Sequence, residues 1–545
     1  MRRTARALGA LLAFALSLAV GACTRSTPDS GAGGRNPWTT PHVLRLVDVA
    51  DPDSLDPLLS TMDLSYDLSA LLFSYLIVDD GDGRLVGDLA TKVPTLANGG
   101  ISRDGRTYVY HLHHGVRWHD GVALTSRDVA FTWRTIMNPH NNVLHREGYD
   151  EVASIATPDP YTVVVHLKRR YPPFVTQFFT TLDEGAKPIV PEHVLRGAGE
   201  INDIPFNAAP VGSGPFRFVR WDRGERIVLA RNDAYFKGRP RLERIELTVV
   251  PDLNSEMTVL RTHAADMPVA ATALLYDRMR DAAGFRRALT AWNSHTLLML
   301  QDARPALRDA HVRRAIARAI DSSVLIDKVA YGTGVPSHDI VPRSALGYTA
   351  FPPYAYDPAA ANAELDAGGW RPGRDGIRTR NGVRLQLLTV IPSNGIGPQV
   401  AVQLQQMLKA VGIGMTIKMY PYHGVFAYDG PIVTGRFDMA IYAVTVAADP
   451  DTTTVLTCAQ IAPRGDNQEH FCDPRIDALE RAGLRTDVPA RRAAIYREID
   501  RRVRDAVPFI VLWDQRRPMV LNTDIRGYDP APGAGPWWNV WTWSI

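Results

Sequence analysis

The stretch PQVAVQLQQMLKAVGIGMTIKMY constrains the fold most. Val400, Leu404, Leu408 and Val411 recur at helical spacing and share one apolar face. Gly412 ends the run, and Met415, Ile417 and Met419 then alternate as a strand does. RRAAIYREIDRRVRDAVPFIVLW repeats the device, with Ile495, Ile499, Val503 and Ala506 ahead of Pro508 and a strand-like FIVLW. AHVRRAIARAID puts Val312, Ala315, Ile316, Ala319 and Ile320 on one face. In YDPAAANAELDAGGW, Asp357 reads as N-cap, Pro358 as the first helical residue, and Gly368 and Gly369 as the stop. Helix followed closely by strand, several times, predicts α/β sheets. The segment from Leu85 to about Asn207 departs from this. Short strands (TYVYHL, YTVVVHL) flank one helix around Asp128–Met137, which predicts an α+β insertion. VGSGPFRFVRWDRGERIVLARNDAYF reads as a hairpin joined by DRGE. At 545 residues the chain exceeds one hydrophobic core, so two or three domains are expected.

The first residues obey different rules. Arg2, Arg3 and Arg6 precede an apolar run shorter than the ~20 residues a spanning helix needs. This is the pattern of a secretory signal over residues 1–22; an uncleaved anchor is the alternative. The run ends VGAC and resembles a bacterial lipoprotein signal. The resemblance implies cleavage after Ala22 and lipid on Cys23; the alternative is ordinary secretion. Residues 23–40, polar and rich in Gly, Ser, Thr and Pro, read as a flexible tether. Losing the three arginines takes the formal charge from +3 to zero. Nothing then points to nucleic acid or an anionic surface as partner. In an exported protein Cys458 and Cys472 can close a small loop; two buried thiols are the alternative.

Catalytic motifs are missing. There is no Gly-x-Ser-x-Gly, His-Glu-x-x-His or phosphate-binding Gly-x-x-x-x-Gly-Lys-Ser/Thr. GSGPF around Ser213 is expected to be a tight turn that uses glycine freedom before Pro215. HLHHGVRWHDG, His111 to Gly121, looks at first like a metal site. Tyr108, Tyr110 and Leu112 alternate as the buried face of a strand, however, leaving His111 and His113 on the solvated face.

Several blocks, in order, resemble the family 5 extracellular solute-binding proteins, the dipeptide-, oligopeptide- and nickel-binding components of ABC importers. They are LDPLLSTMDLSYDLSALLFSYLIVDDGDGRLVGDLAT, DGRTYVYHLHHGVRWHDGVALTSRDVAFTW, VGSGPFRFVRW with ARNDAYFKGRPRLERIEL, VRRAIARAID, YDPAAANAELDAGGW and DPRIDALERAG. The likeness runs from about residue 43 to the C-terminus. It implies a two-lobed α/β fold of the periplasmic-binding-protein type (type II, cluster C) with an extra α+β insertion subdomain. A discontinuous first lobe would take residues 41–83, 208–297 and 518–545. The insertion would take 84–207, and the second lobe 298–517.

In that family one pocket wall is the loop before an Asp-Pro, here DMAIYAVTVAADPDTTTVL. Peptide-binding members place a tryptophan in this loop, and an aspartate about three residues before the Asp-Pro that pairs with the peptide ammonium. Here Tyr442 lies near the tryptophan place, and Val446, with Thr445 beside it, takes the aspartate place. A buried ammonium without a carboxylate is costly, which puts ordinary free-N-terminus peptides in doubt. Asp449 is the substitute candidate, with turn or helix capping before Pro450 as its other role. Met62 is the first-lobe candidate, against a core role, and Tyr66 and Trp292 follow. The tail GPWWNVWTW is expected to pack as a returning strand. Cys458 and Cys472 match a disulfide loop of dipeptide-binding relatives.

The resemblance implies a lipid-anchored receptor that delivers a peptide or peptide-like solute to an ABC permease and ATPase. It would act as a monomer, with neither catalysis nor cofactor. The alternatives are the same fold binding a metal chelate, oligosaccharide or other small solute, and a sensor lipoprotein independent of transport.

Overall fold

In a computed structural model the described residues are 34–545, apart from 61, 182–185, 338, 340, 342, 344, 353 and 428. The expected signal segment and Cys23 lie outside them. Among the described residues no helix is long and apolar enough to cross a membrane.

The helix–strand units form as their local chemistry dictates. Gly397–Ala410 is a helix that buries Val400, Ala401, Leu404 and Leu408. At Gly412 the chain adopts a φ of 82°. A Cβ there would also lie 2.9 Å from the Gly376 carbonyl oxygen, so glycine answers two demands at once. Strand Gly414–Tyr420 then pairs in parallel with Gln386–Pro392. It is an edge strand. Met415 is therefore buried while Met419, expected on the same inward face, is 59% exposed. Helix Pro358–Ala367 starts as expected, the Asp357 carboxylate accepting from the Ala360 N–H at 2.8 Å. Helix Ser126–Met137 is entered through Thr125, whose N–H donates to Asp128 at 2.8 Å.

Two large sheets organise the molecule. The five-stranded sheet runs Met267–Pro268, Val43–Asp48, Arg244–Val249, Arg226–Arg231, Phe216–Asp222. Its last two strands are the hairpin closed by DRGE, with Asp222 opposite Arg226. The six-stranded sheet runs Gly334–Val335, Phe509–Asn522, Phe285–Leu300, Met439–Thr445, Gln386–Pro392, Gly414–Tyr420. Its two longest members, Phe285–Leu300 and Phe509–Asn522, are antiparallel partners from Phe285/Asn522 to Met299/Phe509. At one end Leu298, Leu300, Ile510, Leu512 and Trp513 belong to the apolar core of the second lobe. At the other, Met519 and Leu521 belong to the core that holds Leu44 and Leu46 of the first lobe. The pair thus crosses from lobe to lobe, and the divisions at 297/298 and 517/518 fall inside continuous strands. The insertion carries a three-stranded sheet of Thr107–His111, Thr162–Leu167 and Val152–Asp159, whose Tyr108, Tyr110 and Val163 join the first-lobe core.

Two sequence readings change here. Gly212 and Gly214 are not turn glycines and have no positive φ. A Cβ on Gly212 would sit 1.8 Å from the Leu72 carbonyl oxygen, and one on Gly214 2.6 Å from that of Leu71, so close backbone approach selects glycine. His119, in the turn expected from the sequence, is held by the backbone of the first lobe. Its Nδ1 accepts from the Gly212 N–H and its Nε2 donates to the Gly214 carbonyl, both at 3.1 Å. Burial drives its pKa down to about 4, so the neutral ring clips the insertion to the first lobe. Among the described residues no group of three or more His, Cys, Asp or Glu side chains could hold a metal. The C-terminal tail packs, with Trp537 and Trp543 fully buried. It does so through turns and a 3-10 segment, Val540–Thr542, rather than a strand.

Cys458 and Cys472 are joined by a disulfide that spans 14 residues. On the chain-entropy account, replacing both by serine lowers stability by about 3 kcal/mol. Urea unfolding with and without reductant measures this, and an unchanged midpoint would refute it.

Candidate functional site

Where the crossing strands pass between lobes, their pairing shifts between Ala291 and His295. The irregularity turns Trp292 and Asn293 into a cavity of about 480 Å³. That volume suits enclosure of a drug-sized solute. The first lobe supplies Asp63, Tyr66, Asp67 and Ala70 from helix Asp63–Leu72, together with Val269–Ala271. The second lobe supplies Tyr422, Thr445 and Val446, and the insertion His145. Arg517 and Pro518 come from the second crossing strand, and residues 532–535 close one side.

The helix wall is positioned by an amphipathic pattern. Leu64, Leu68, Leu71 and Leu72 are buried on one side. Asp63, Tyr66, Asp67 and Ala70 fall at i, i+3, i+4 and i+7 on the other. The closing loop is fixed by Asp79, whose carboxylate accepts from the N–H groups of Gly533 (2.7 Å) and Ala534 (2.5 Å). Gly535 then presses against Arg517; a Cβ on it would lie 2.3 Å from Nη1. The guanidinium lies over the Trp292 ring, 5.1 Å from its centroid. Asp67 Oδ1 accepts from Trp537 Nε1 at 2.9 Å. Burial pushes the Asp67 pKa up to about 7; Arg517 and the Trp537 hydrogen bond oppose the rise, while Asp63 and Asp48 add to it.

The expected site residues divide. Thr445 and Val446 line the cavity, as do Tyr66 and Trp292. Val446 N–H donates to the Asn293 carbonyl at 2.8 Å, which ties the loop to the strand irregularity. Three others do not line it. Met62 precedes the helix, and its N–H donates to Ser60 Oγ at 3.1 Å. Tyr442 turns its ring to Phe426, centroids 5.8 Å apart, and packs on the second-lobe cores. Asp449 is buried in a two-pronged ion pair with Arg492, with Nη2 to Oδ1 at 2.6 Å. It also accepts from the Asp451 N–H at 3.0 Å, the turn role weighed for it. Asp63, Asp67 and Arg517 were missed. The helical spacing of Asp63 and Asp67 within a Leu-rich segment was the available signal; Arg517 gave none.

Arg170, at the edge of the insertion, reaches second-lobe residues. Nη1 donates to the Arg485 carbonyl at 3.2 Å, and Nε lies 3.3 Å from Asp487. Such a half-exposed pair contributes about 1 kcal/mol or less to stability. Arg170→Ala is therefore expected to leave thermal stability nearly unchanged while weakening solute affinity by up to about fivefold. Calorimetric titration beside thermal unfolding checks this, and unaltered affinity would count against any part for the contact in closure.

The family model for bacterial extracellular solute-binding proteins, family 5 Middle, matches residues 84–460. The chain belongs to this family. Among its relatives, Protein XP55 of Streptomyces lividans is 31% identical over 509 residues, covering 92% of this chain and 88% of its own. Oligopeptide-binding protein AppA of Bacillus subtilis is 25% identical over 550 residues, 97% of each. NikZ from Campylobacter jejuni, solved in complex with Ni(L-His), is similar in fold at a TM-score of 0.77 and 24% identity, covering 93% of this chain and 100% of that one. The two-lobed α/β architecture expected from the sequence is the one this family 5 chain shares with its solved neighbours.

Proposed function

We propose that the chain is the substrate-binding component of an ABC importer, which captures a peptide or peptide-like solute and presents it to a membrane permease. The observation that carries this reading is the cavity whose walls come from both lobes and from the strands that join them. A ligand that touches both walls binds the closed form better and shifts the population toward it. In this reading residues 41–83, 208–297 and 518–545 form one lobe, 298–517 the other, and 84–207 the insertion. Thr445 and Val446 contact solute. The protein acts as an exported monomer tethered by lipid on Cys23, without catalysis or cofactor, and ATP hydrolysis belongs to separate subunits.

One observation favours a second reading, a non-peptide solute. Val446 stands where peptide-binding relatives place a carboxylate, and Asp449 is consumed by Arg492. Native mass spectrometry of the purified protein with its co-purified ligand separates the two. A set of short peptides supports peptide capture, whereas a single non-peptide mass overturns it. A thermal-shift screen adds a second readout, since a solute at 100 times its Kd stabilises by about 2.7 kcal/mol.

A further inference from the structure

The cavity holds fixed charge of both signs on facing elements. Asp63 and Asp67 project from the first-lobe helix and Arg517 from the second crossing strand. Among the described residues neither Asp63 nor Arg517 takes part in an ion pair. Asp63 is exposed, and Asp67 spends one oxygen on Trp537. Arg517 is aimed by its stacking on Trp292 and by Gly535 against its Nη1. Arg517 is half-buried and acts on Asp67 across the cavity, but among the described residues no direct ion pair joins them, so both charges remain open to a ligand between them.

We propose that the solute is zwitterionic, its ammonium held by Asp63 and Asp67 of the first lobe and its anionic group by Arg517. This rests on the reading of the cavity as the solute site. It moves ammonium recognition to the opposite lobe from the Asp-Pro loop, whose wall is left to Thr445 and the apolar Val446. The doubt about free-N-terminus ligands then disappears, because the missing carboxylate is replaced from across the cavity. Tyr66 lies between the two aspartates on the same helix face, beside the ammonium. A proton on Asp67 competes with the ligand ammonium, so affinity rises as pH rises through about 7. The other groups acting on Asp67 are Arg517, Asp63 and Asp48.

The test uses the full exported chain, stripped of ligand, and native mass spectrometry with calorimetry on four probes. These are a mixed library of two- to five-residue peptides with free termini, the same library N-acetylated, the same library C-amidated, and maltotriose. Retention of free-termini peptides with at least tenfold weaker binding of both blocked sets is expected; tenfold equals about 1.4 kcal/mol. Asp67→Asn, which keeps the acceptor for Trp537, is expected to lose the discrimination against acetylation. Asp63→Asn, at an exposed position, is expected to weaken it. Arg517→Gln is expected to lose the discrimination against amidation. Equal binding of blocked and free peptides, or selective binding of maltotriose, overturns the zwitterion assignment and leaves the solute site standing. Binding of none of the probes, with no small molecule retained from a cell extract, overturns both.

Discussion

Arg492→Met is expected to destabilise the folded chain by about 3–5 kcal/mol, the range for removing one partner of a buried ion pair. Both side chains of the Arg492–Asp449 pair are 6% exposed. The loss would be aggravated by what surrounds it. Arg492 is the cation that faces Asp449, and it also acts on Asp451. Glu480, with its pKa pushed up by burial and by Asp451, shares hydrogen bonds with Thr452 and Thr453. Without the guanidinium, the buried Asp449 charge keeps only the Asp451 N–H against it, among neighbouring carboxylates. The double variant Arg492→Met with Asp449→Leu removes both charges and is expected to recover much of the loss, because an apolar pair of similar volume often matches a buried ion pair. Urea unfolding of the two variants gives the comparison. A double variant as unstable as the single one would show that packing against Tyr496, not charge, is what Arg492 provides. Solute affinity is expected to fall in the single variant as well. The loop that Asp449 pins leads back to the cavity residues Thr445 and Val446 and forward to Cys458.

This pair also shows where the sequence stops being legible. Helix starts could be read because their chemistry is local: Asp357 and Ala360 are three residues apart, and Gly412 follows directly on the helix it ends. The two-lobed architecture could be read because six blocks occur in family order. Asp449 could not be placed, since its partner lies on a helix whose sequence pattern records only an apolar face. Met62 stands just after the Leu-Asp-Pro turn, a place from which a side chain could line a cleft. A cavity, however, is lined by whichever helix face is not in the core, and Leu64, Leu68, Leu71 and Leu72 assign that face to Asp63, Tyr66 and Asp67. Arg517 was unreadable for a further reason. Its position depends on the pairing of two long strands far apart in sequence and on the irregularity at Trp292.

Thermal stability is expected to fall between pH 6.5 and 9, opposite to what an ordinary set of paired carboxylates would give. Glu256 and Glu469 are buried, and burial, with Asp48 beside the first and Asp302 beside the second, pushes each pKa up to about 8. Asp500 is pushed up as well, by burial and by Asp339. A carboxyl whose folded pKa exceeds its unfolded one binds its proton more tightly when folded. Its contribution is complete below the unfolded pKa near 4.5 and is lost as pH rises through the folded value. Each unit of pH in that window removes about 1.4 kcal/mol per group, so Glu256 and Glu469 each lose roughly 2 kcal/mol between pH 6.5 and 8. His119 acts in the other direction, over a lower span of pH. Its folded pKa of about 4 lies below the unfolded value, so it lowers stability only as pH falls below about 6.5. Between about pH 4.5 and 6.5 the two effects oppose each other, and above pH 6.5 the carboxyls act without that opposition. Glu256→Gln keeps the shape and cannot ionise, so it is expected to flatten the decline and to be more stable than the natural chain at pH 8.5. Calorimetric melts at pH 6.5, 7.5 and 8.5 supply the measurement. A midpoint that holds or rises toward pH 9 would mean that these carboxyls are ionised in the folded chain, and their burial would then need a cation that has not been identified beside them.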